Sequence, residues 1–263
     1  MMSIELAIIG GTGVYDPKLL EDVQTLEIDT RYGRALLTQG KYQGREVVFL
    51  ARHGTKHGTP PHNVNYRANI AALVKLGVKR VVATAAVGSL NEKMPPGAMI
   101  LLGQFLDFTK AREATFFDGG EAGVVHTDFT APYCPQLNGN LLAAANQAGL
   151  ELLQDGVYVC TEGPRFESAA EIRMYQKLGG DLVGMTNVPE VVLAREAGLC
   201  YSTVALSTNF GAGISPTVLT HEEVLEVMAE NVEKVRRLLM ELIPNLADHR
   251  DCDCEKLGSE ILL

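Results

Sequence analysis

Short, nearly continuous apolar runs recur along the chain: Leu6–Ile9, Val47–Ala51, Val81–Val87, Met99–Leu102, Val157–Cys160, Leu182–Met185 and Tyr201–Leu206. Each is bounded by Gly, Pro or charge, and most lack the alternation of a half-exposed strand. They predict strands buried on both faces of a sheet. Between them, apolar positions repeat at helical spacing over Tyr66–Leu76, Gln136–Ala148, Ala169–Leu178, Glu190–Glu196 and Glu222–Leu242. The last of these opens on Thr220-His221-Glu222-Glu223, where Thr followed three residues later by Glu predicts a capping box. Gly149, Gly179 and Gly198 stand where helix C-terminal stops belong. Alternation of strand and helix over the whole length predicts one α/β domain with a largely parallel or mixed sheet. The stretch after Pro244 is charged and reads as peripheral. The domain is drawn over residues 1–250, leaving 251–263 as a charged tail that contains Cys-x-Cys.

Composition narrows the class. A chain of 263 residues, 46% hydrophobic, can bury one large core. A net charge of −9 and a pI near 5.2 argue against nucleic acid as a partner, because the phosphate backbone needs clustered Lys and Arg. They leave room for a small anion, which needs only a few local donors. No apolar run approaches the ~20 residues of a membrane span. Met1-Met2-Ser3-Ile4-Glu5 lacks the basic-then-apolar pattern of a signal peptide, so a cytoplasmic location is expected. Five Cys, an odd number with Cys134, Cys160 and Cys200 scattered, do not suggest a secreted disulfide framework.

Four segments offer groups suited to an anion. Ile8-Ile9-Gly10-Gly11-Thr12-Gly13 follows the first strand, and its glycines allow backbone N–H groups to approach closely, with Thr12 as a further donor. The same pattern could equally be a tight turn. It lacks the G-x-G-x-x-G spacing of a dinucleotide loop and the Gly-Lys-Ser/Thr of a Walker loop. Arg52 and His53 end a buried strand, where Arg presents a planar fork suited to phosphate oxygens; a solvated loop carrying charges is the alternative. Ala83-Thr84-Ala85-Ala86-Val87-Gly88-Ser89 places small residues at a strand end, which permits close backbone approach or simply tight packing. Gly184-Met185-Thr186-Asn187-Val188-Pro189-Glu190 turns from strand to helix and offers N–H groups and a hydroxyl.

Gly-Gly-Thr-Gly, Arg-His-Gly, Val-Asn-Tyr-Arg-Ala-Asn, Glu-Gly-Pro-Arg-Phe and Gly-Met-Thr-Asn-Val-Pro-Glu occur in this order, and over residues 5–244 the chain resembles the methylthioadenosine phosphorylase branch of the trimeric purine nucleoside phosphorylases. The resemblance implies an α/β fold with a mixed central sheet flanked by helices. It implies a homotrimer, or a hexamer where trimers assemble further. Purine nucleoside and inorganic phosphate would be the substrates, in purine salvage, with no cofactor and no metal. Phosphate would be held by Thr12, Arg52, His53, the backbone near Ala85 and Ala86, and Thr186. Met185 would lie under the ribose and Phe166 with the substrate-binding residues. His126 would reach a neighbouring subunit's site.

Three residues depart from the branch. Enzymes of the branch that use 6-aminopurines resemble one another in carrying Asp where this chain has Asn209, and a second Asp at Gly211. A carboxylate cannot donate to a 6-oxo group, whereas an amide accepts from protonated N7 and donates to O6. Glu167 matches the Glu that 6-oxopurine phosphorylases set against N1–H; adenine presents a lone pair there. Helix-start electrostatics would also favour an acid at Glu167, and Glu162 lies close in sequence. His221 matches the His those enzymes place against the 5′-hydroxyl, where methylthioadenosine phosphorylases place an apolar residue. The three together predict phosphorolysis of inosine and guanosine, with His53, Asn209 and Glu167 as the catalytic set. Phosphorolysis of S-methyl-5′-thioadenosine or S-methyl-5′-thioinosine is the alternative. A non-catalytic dinucleotide-binding module would want an acid at the end of the second predicted strand, where Arg52-His53 stands. Cys252-Asp253-Cys254 matches a motif that in thermophilic relatives forms a disulfide or has redox activity; two free thiols on a mobile tail are the other reading. Zinc would need two further ligands, with His249 the nearest in sequence.

Overall fold

The structure is a computed structural model. It describes residues 4–11, 20–54, 58–214 and 221–263, with the side chains of 221–226, 228 and 230 left out of the description. Thr12, Thr220 and the His221 side chain therefore lie outside the described residues.

The seven apolar runs all become strands: β1 (Leu6–Gly10), β4 (Arg45–Ala51), β5 (Arg80–Ser89), β6 (Met99–Phe108), β7 (Leu153–Thr161), β8 (Leu182–Gly184) and β9 (Cys200–Phe210). Two more, β2 (Glu21–Thr30) and β3 (Gly33–Tyr42), escape a periodicity reading. β2 is exposed or half-buried along its whole length, so no apolar run marks it. β3 and β4 join through Gln43 and Gly44, both with positive φ, in a two-residue hairpin whose flanking pair is Tyr42 and Arg45.

Among the described residues the strand order is β2-β3-β4-β1-β5-β8-β7-β6-β9, and β5 also pairs with β9. That last pairing closes β5, β8, β7, β6 and β9 into a ring, while β1 to β4 extend from β5 as an open sheet. β1 runs parallel to β4 and β5, and β5 parallel to β9; β5–β8 and β6–β9 are antiparallel. The sheet is mixed.

The predicted helices form as α1 (Tyr66–Lys75), α2 (Pro135–Gln147), α3 (Ala169–Lys177), α4 (Asn187–Glu196) and α5 (His221–Asn245). Gly149, Gly179 and Gly198 follow the C-caps of α2, α3 and α4 at φ of 63°, 88° and 71°. A side chain there would be strained, which explains the stops. α3 opens with a complete capping box, Ser168 with Glu171.

The strands are continuous in hydrophobicity because both faces are covered. Ala7 and Ile9, Val48 and Leu50, and Val81 and Ala83 pack with Ile70 and Leu73 of α1 and Val191 and Leu193 of α4. Leu6 and Ile8, Val47 and Phe49, and Val82 face the other way, onto Leu137 and Leu141 of α2 and Leu238 and Leu242 of α5. The result is a three-layer helix–sheet–helix arrangement. Charge after Pro244 suggests a peripheral tail, but the chain packs down there. Cys254 and Ile261 are buried, and α6 (Cys254–Leu257) sits against α4. The local charges pair among themselves, Arg250 with Glu255 and Lys256 with Asp253, so they do not oppose docking. Among the described residues no helix is long and apolar enough to cross a membrane.

Candidate active site

A cleft of about 790 Å³ opens where the C-terminal ends of β4, β5 and β9 meet the turn between β8 and α4. Ligand sites in α/β sheets favour this edge. Its lining includes Arg52, His53, Ala85, Ala86, Phe166, Glu167, Met185, Thr186, Asn209 and Gly211. These ten positions come from five separate stretches of sequence. Gly11 also lines the cleft, and among the described residues nothing lies within 4 Å of a Cβ added to it.

Arg52 is almost fully enclosed. Its Nε and Nη2 donate to the two carboxylate oxygens of Glu190, each at 2.7 Å, and Nη1 donates to the Thr84 carbonyl at 2.9 Å. Burial works to lower the guanidinium's pKa, but the Glu190 carboxylate outweighs it and holds the group above its usual range. Tyr201 Oη donates to Glu190 Oε1 at 2.8 Å, and burial keeps that phenol protonated. Three of the five guanidinium N–H groups are thus engaged, leaving one on each Nη for a ligand. Glu190 is missed as a site residue by sequence reasoning, although it closes the Gly-Met-Thr-Asn-Val-Pro-Glu motif; its partner lies 138 positions away.

His53 Nδ1 faces the Thr59 carbonyl at 2.8 Å. A carbonyl can only accept, so Nδ1 carries the hydrogen and the ring is fixed in one tautomer. Thr186 is the N-cap of α4, but its hydroxyl makes no cap bond to the helix. Ala86, between buried Ala85 and Val87, is exposed to the cleft.

At the other end, β5 and β9 pair in register with a shift between Val87 and Gly88, which sets Gly88 opposite Asn209. A Cβ on Gly88 would lie 3.2 Å from Asn209 Nδ2 and 3.2 Å from Val183 Cγ1, so the amide needs glycine there. Thr208 Oγ1 lies 2.7 Å from Asn209 Oδ1, and Asn209 Nδ2 donates to the Phe210 carbonyl at 2.8 Å. The second lone pair and second hydrogen of the amide remain for a ligand. Glu167 Oε1 accepts from Thr161 Oγ1 at 2.7 Å. Glu162, its neighbour in sequence, is held elsewhere: it accepts from the Lys110 N–H and pairs with Arg112. Phe166 is 56% exposed beside the cleft, unusual for a large apolar ring. His126 is exposed and does not line this chain's own cleft. Thr208, Gly88 and Val183 are further lining residues, legible only once the strands are paired.

Residues 5–244 match the model of the phosphorylase superfamily. The chain is 56% identical to the "probable 6-oxopurine nucleoside phosphorylase" of Moorella thermoacetica, covering 98% of this chain and 99% of that one. It is 44% identical to the S-methyl-5′-thioadenosine phosphorylase of Nitrosopumilus maritimus, covering 98% and 97%. The crystal structure of a methylthioadenosine phosphorylase from an antarctic soil metagenomic library superposes with a TM-score of 0.92 at 33% identity, covering 100% and 93%. The chain belongs to the phosphorylase superfamily and is a pentosyltransferase of the nucleoside phosphorylase kind.

Proposed function

We propose that the chain catalyses phosphate-dependent cleavage of 6-oxopurine nucleosides, inosine and guanosine, to the free base and ribose 1-phosphate. The observation that carries this reading is that Asn209 and Glu167 line the same cleft. An amide that both donates and accepts, together with a carboxylate that accepts, matches O6, N7–H and N1–H of a 6-oxopurine. A 6-aminopurine would set its N1 lone pair against Glu167.

In this reading phosphate lies against Arg52, His53, Thr186 and the backbone at Ala85 and Ala86, with Thr12 as a further donor. Glu190 and Tyr201 hold the Arg52 fork in plane. The ribose rests on Met185, with Phe166 over the site and His221 towards the 5′-hydroxyl. The C1′–N9 bond breaks with its electron pair passing to the purine, which takes a proton at N7 from solvent, balanced by the proton that hydrogen phosphate gives up as its oxygen bonds C1′. Asn209 accepts from that N7–H while its amide hydrogen and Glu167 stabilise the rest of the ring. A phosphate oxygen forms the new bond to C1′, and the bound anion balances the positive charge that develops on the ribose. This is catalysis by positioning and preorganised electrostatics, without a covalent enzyme intermediate. Phosphate is a co-substrate, and the reading calls on no cofactor and no catalytic metal. It places the enzyme in purine salvage in the cytoplasm, as a homotrimer in which His126 approaches a neighbour's cleft.

Steady-state kinetics with inosine, guanosine, adenosine and methylthioadenosine, with and without phosphate, test the proposal. Hypoxanthine release from inosine that needs phosphate is expected, with inosine and guanosine preferred. A higher kcat/KM for methylthioadenosine than for inosine overturns it in favour of the methylthio-nucleoside reading.

A further inference from the structure

Four cysteines that are far apart in sequence meet at one place remote from the cleft. Cys134 is the N-cap of α2, Cys200 opens β9, and Cys252 and Cys254 come from the C-terminal stretch. Their Sγ atoms all lie within 4.8 Å of one another, with Cys200 and Cys252 3.3 Å apart. All four are free thiols, and Cys134, Cys200 and Cys254 are buried. Thiols are weak hydrogen-bond donors and acceptors, so four packed together satisfy one another poorly. The same cluster suits a tetrahedral d¹⁰ cation. A Zn–S bond of about 2.3 Å puts the sulfurs of a tetrahedral site about 3.8 Å apart, inside the observed spread.

The surroundings fit thiolates. The Leu137 N–H, in the first turn of α2, points to Cys134 Sγ at 3.4 Å. Arg195, itself 4% exposed, directs Nη1 at Cys254 Sγ from 3.7 Å. A divalent ion with four thiolates carries a net charge of −2, which a buried guanidinium and a helix N-terminus offset. The cluster sits in the apolar layer formed with Leu137, Leu141 and Leu242. His249, the sequence neighbour that zinc would otherwise want, is exposed and paired with Asp251.

We propose that Cys134, Cys200, Cys252 and Cys254 form a structural tetrathiolate site for one zinc ion, which fastens the C-terminal stretch to α2 and β9. Four protein ligands leave no open position, so the site is structural rather than catalytic. Binding releases the four thiol protons to solvent and involves no redox step. Cys200 and Asn209 lie nine residues apart along β9, about 30 Å for an extended strand, so the ion does not touch the reaction.

The test uses the full chain, expressed with zinc in the medium and purified anaerobically with reductant. Elemental analysis is expected to give about one zinc per chain. Four additional thiols should become titratable when the metal is stripped under denaturing conditions. Cobalt added to the stripped and refolded protein should show a thiolate-to-metal charge-transfer band with the visible bands of a tetrahedral ion. Cys252→Ser, at the most accessible ligand, should lower metal retention against a fixed chelator concentration at least tenfold, while Cys160→Ala should leave it unchanged. Protein that is metal-free as purified and takes up neither zinc nor cobalt overturns the proposal. So does mass spectrometry that finds the four cysteines joined as disulfides in the same reduced preparation.

Discussion

Purines differ in which ring atoms carry hydrogens, and the base end of the cleft answers with an amide and a carboxylate. Asn209→Asp removes the donor to O6 while keeping an acceptor for N7–H. Inosine kcat/KM should fall on the order of 10²–10³-fold, the scale of losing one preorganised donor. Relative use of adenosine should rise, and an unchanged inosine-to-adenosine ratio would count against the role of the amide. Gly211→Asp is a harder change, because an added Cβ would lie 2.9 Å from Leu90 Cδ2 and 3.2 Å from Ile172 Cδ1. Moving base specificity therefore involves packing as well as hydrogen bonding. At the opposite end, Glu190→Gln would leave the Arg52 guanidinium buried without its counter-charge. Breaking such a pair costs about 3–5 kcal/mol, readable as a lower urea midpoint together with a raised KM for phosphate. A variant that loses neither stability nor phosphate affinity would show that the Glu190 contact does not hold the fork.

Elements follow burial, and that decides what a sequence reveals. Strands covered on both faces write themselves as apolar runs, and the glycines past α2, α3 and α4 mark the ends because positive φ excludes most other residues. β2 left no such trace, since residues such as Glu21, Asp22, Gln24 and Glu27 face solvent on an outer strand. Pairing was also hidden: the antiparallel β5–β8 contact and the β5–β9 closure depend on partners about 90 or more positions apart. The site was legible as a set of strand ends, but not the Arg52–Glu190 fork or the Gly88 seat of Asn209, which exist only after pairing. Gly88→Ala should cost about 1–3 kcal/mol by overpacking. It should lower inosine kcat/KM by more than this loss of stability accounts for, because the clash falls on the Asn209 amide. Gly139, exposed on α2 with nothing within 4 Å of an added Cβ, is the contrasting case. Gly139→Ala should stabilise the fold by roughly 0.5–1 kcal/mol through helix propensity, measured by denaturant titration, with activity unchanged.

At the scale of the whole molecule, the proposed trimer has a direct readout. Sedimentation equilibrium should give three times the 28.4 kDa chain mass. His126→Ala should raise KM for nucleoside without altering the fold, and a monomer with full activity would remove the case for a shared site. The ring of β5, β8, β7, β6 and β9 has a consequence for how such enzymes diversify. β5 belongs to both the open sheet and the ring, so its end carries Ala85 and Ala86 on one side of the register shift and Gly88 on the other. Arg52 and His53 hang from the open sheet, whereas Asn209 and Glu167 hang from the ring. Substitutions that retune recognition of the leaving base can therefore accumulate at ring positions such as Asn209 and Glu167 while Arg52 and His53 on the open sheet stay fixed. A lineage can thus exchange one nucleobase for another without reinventing its chemistry.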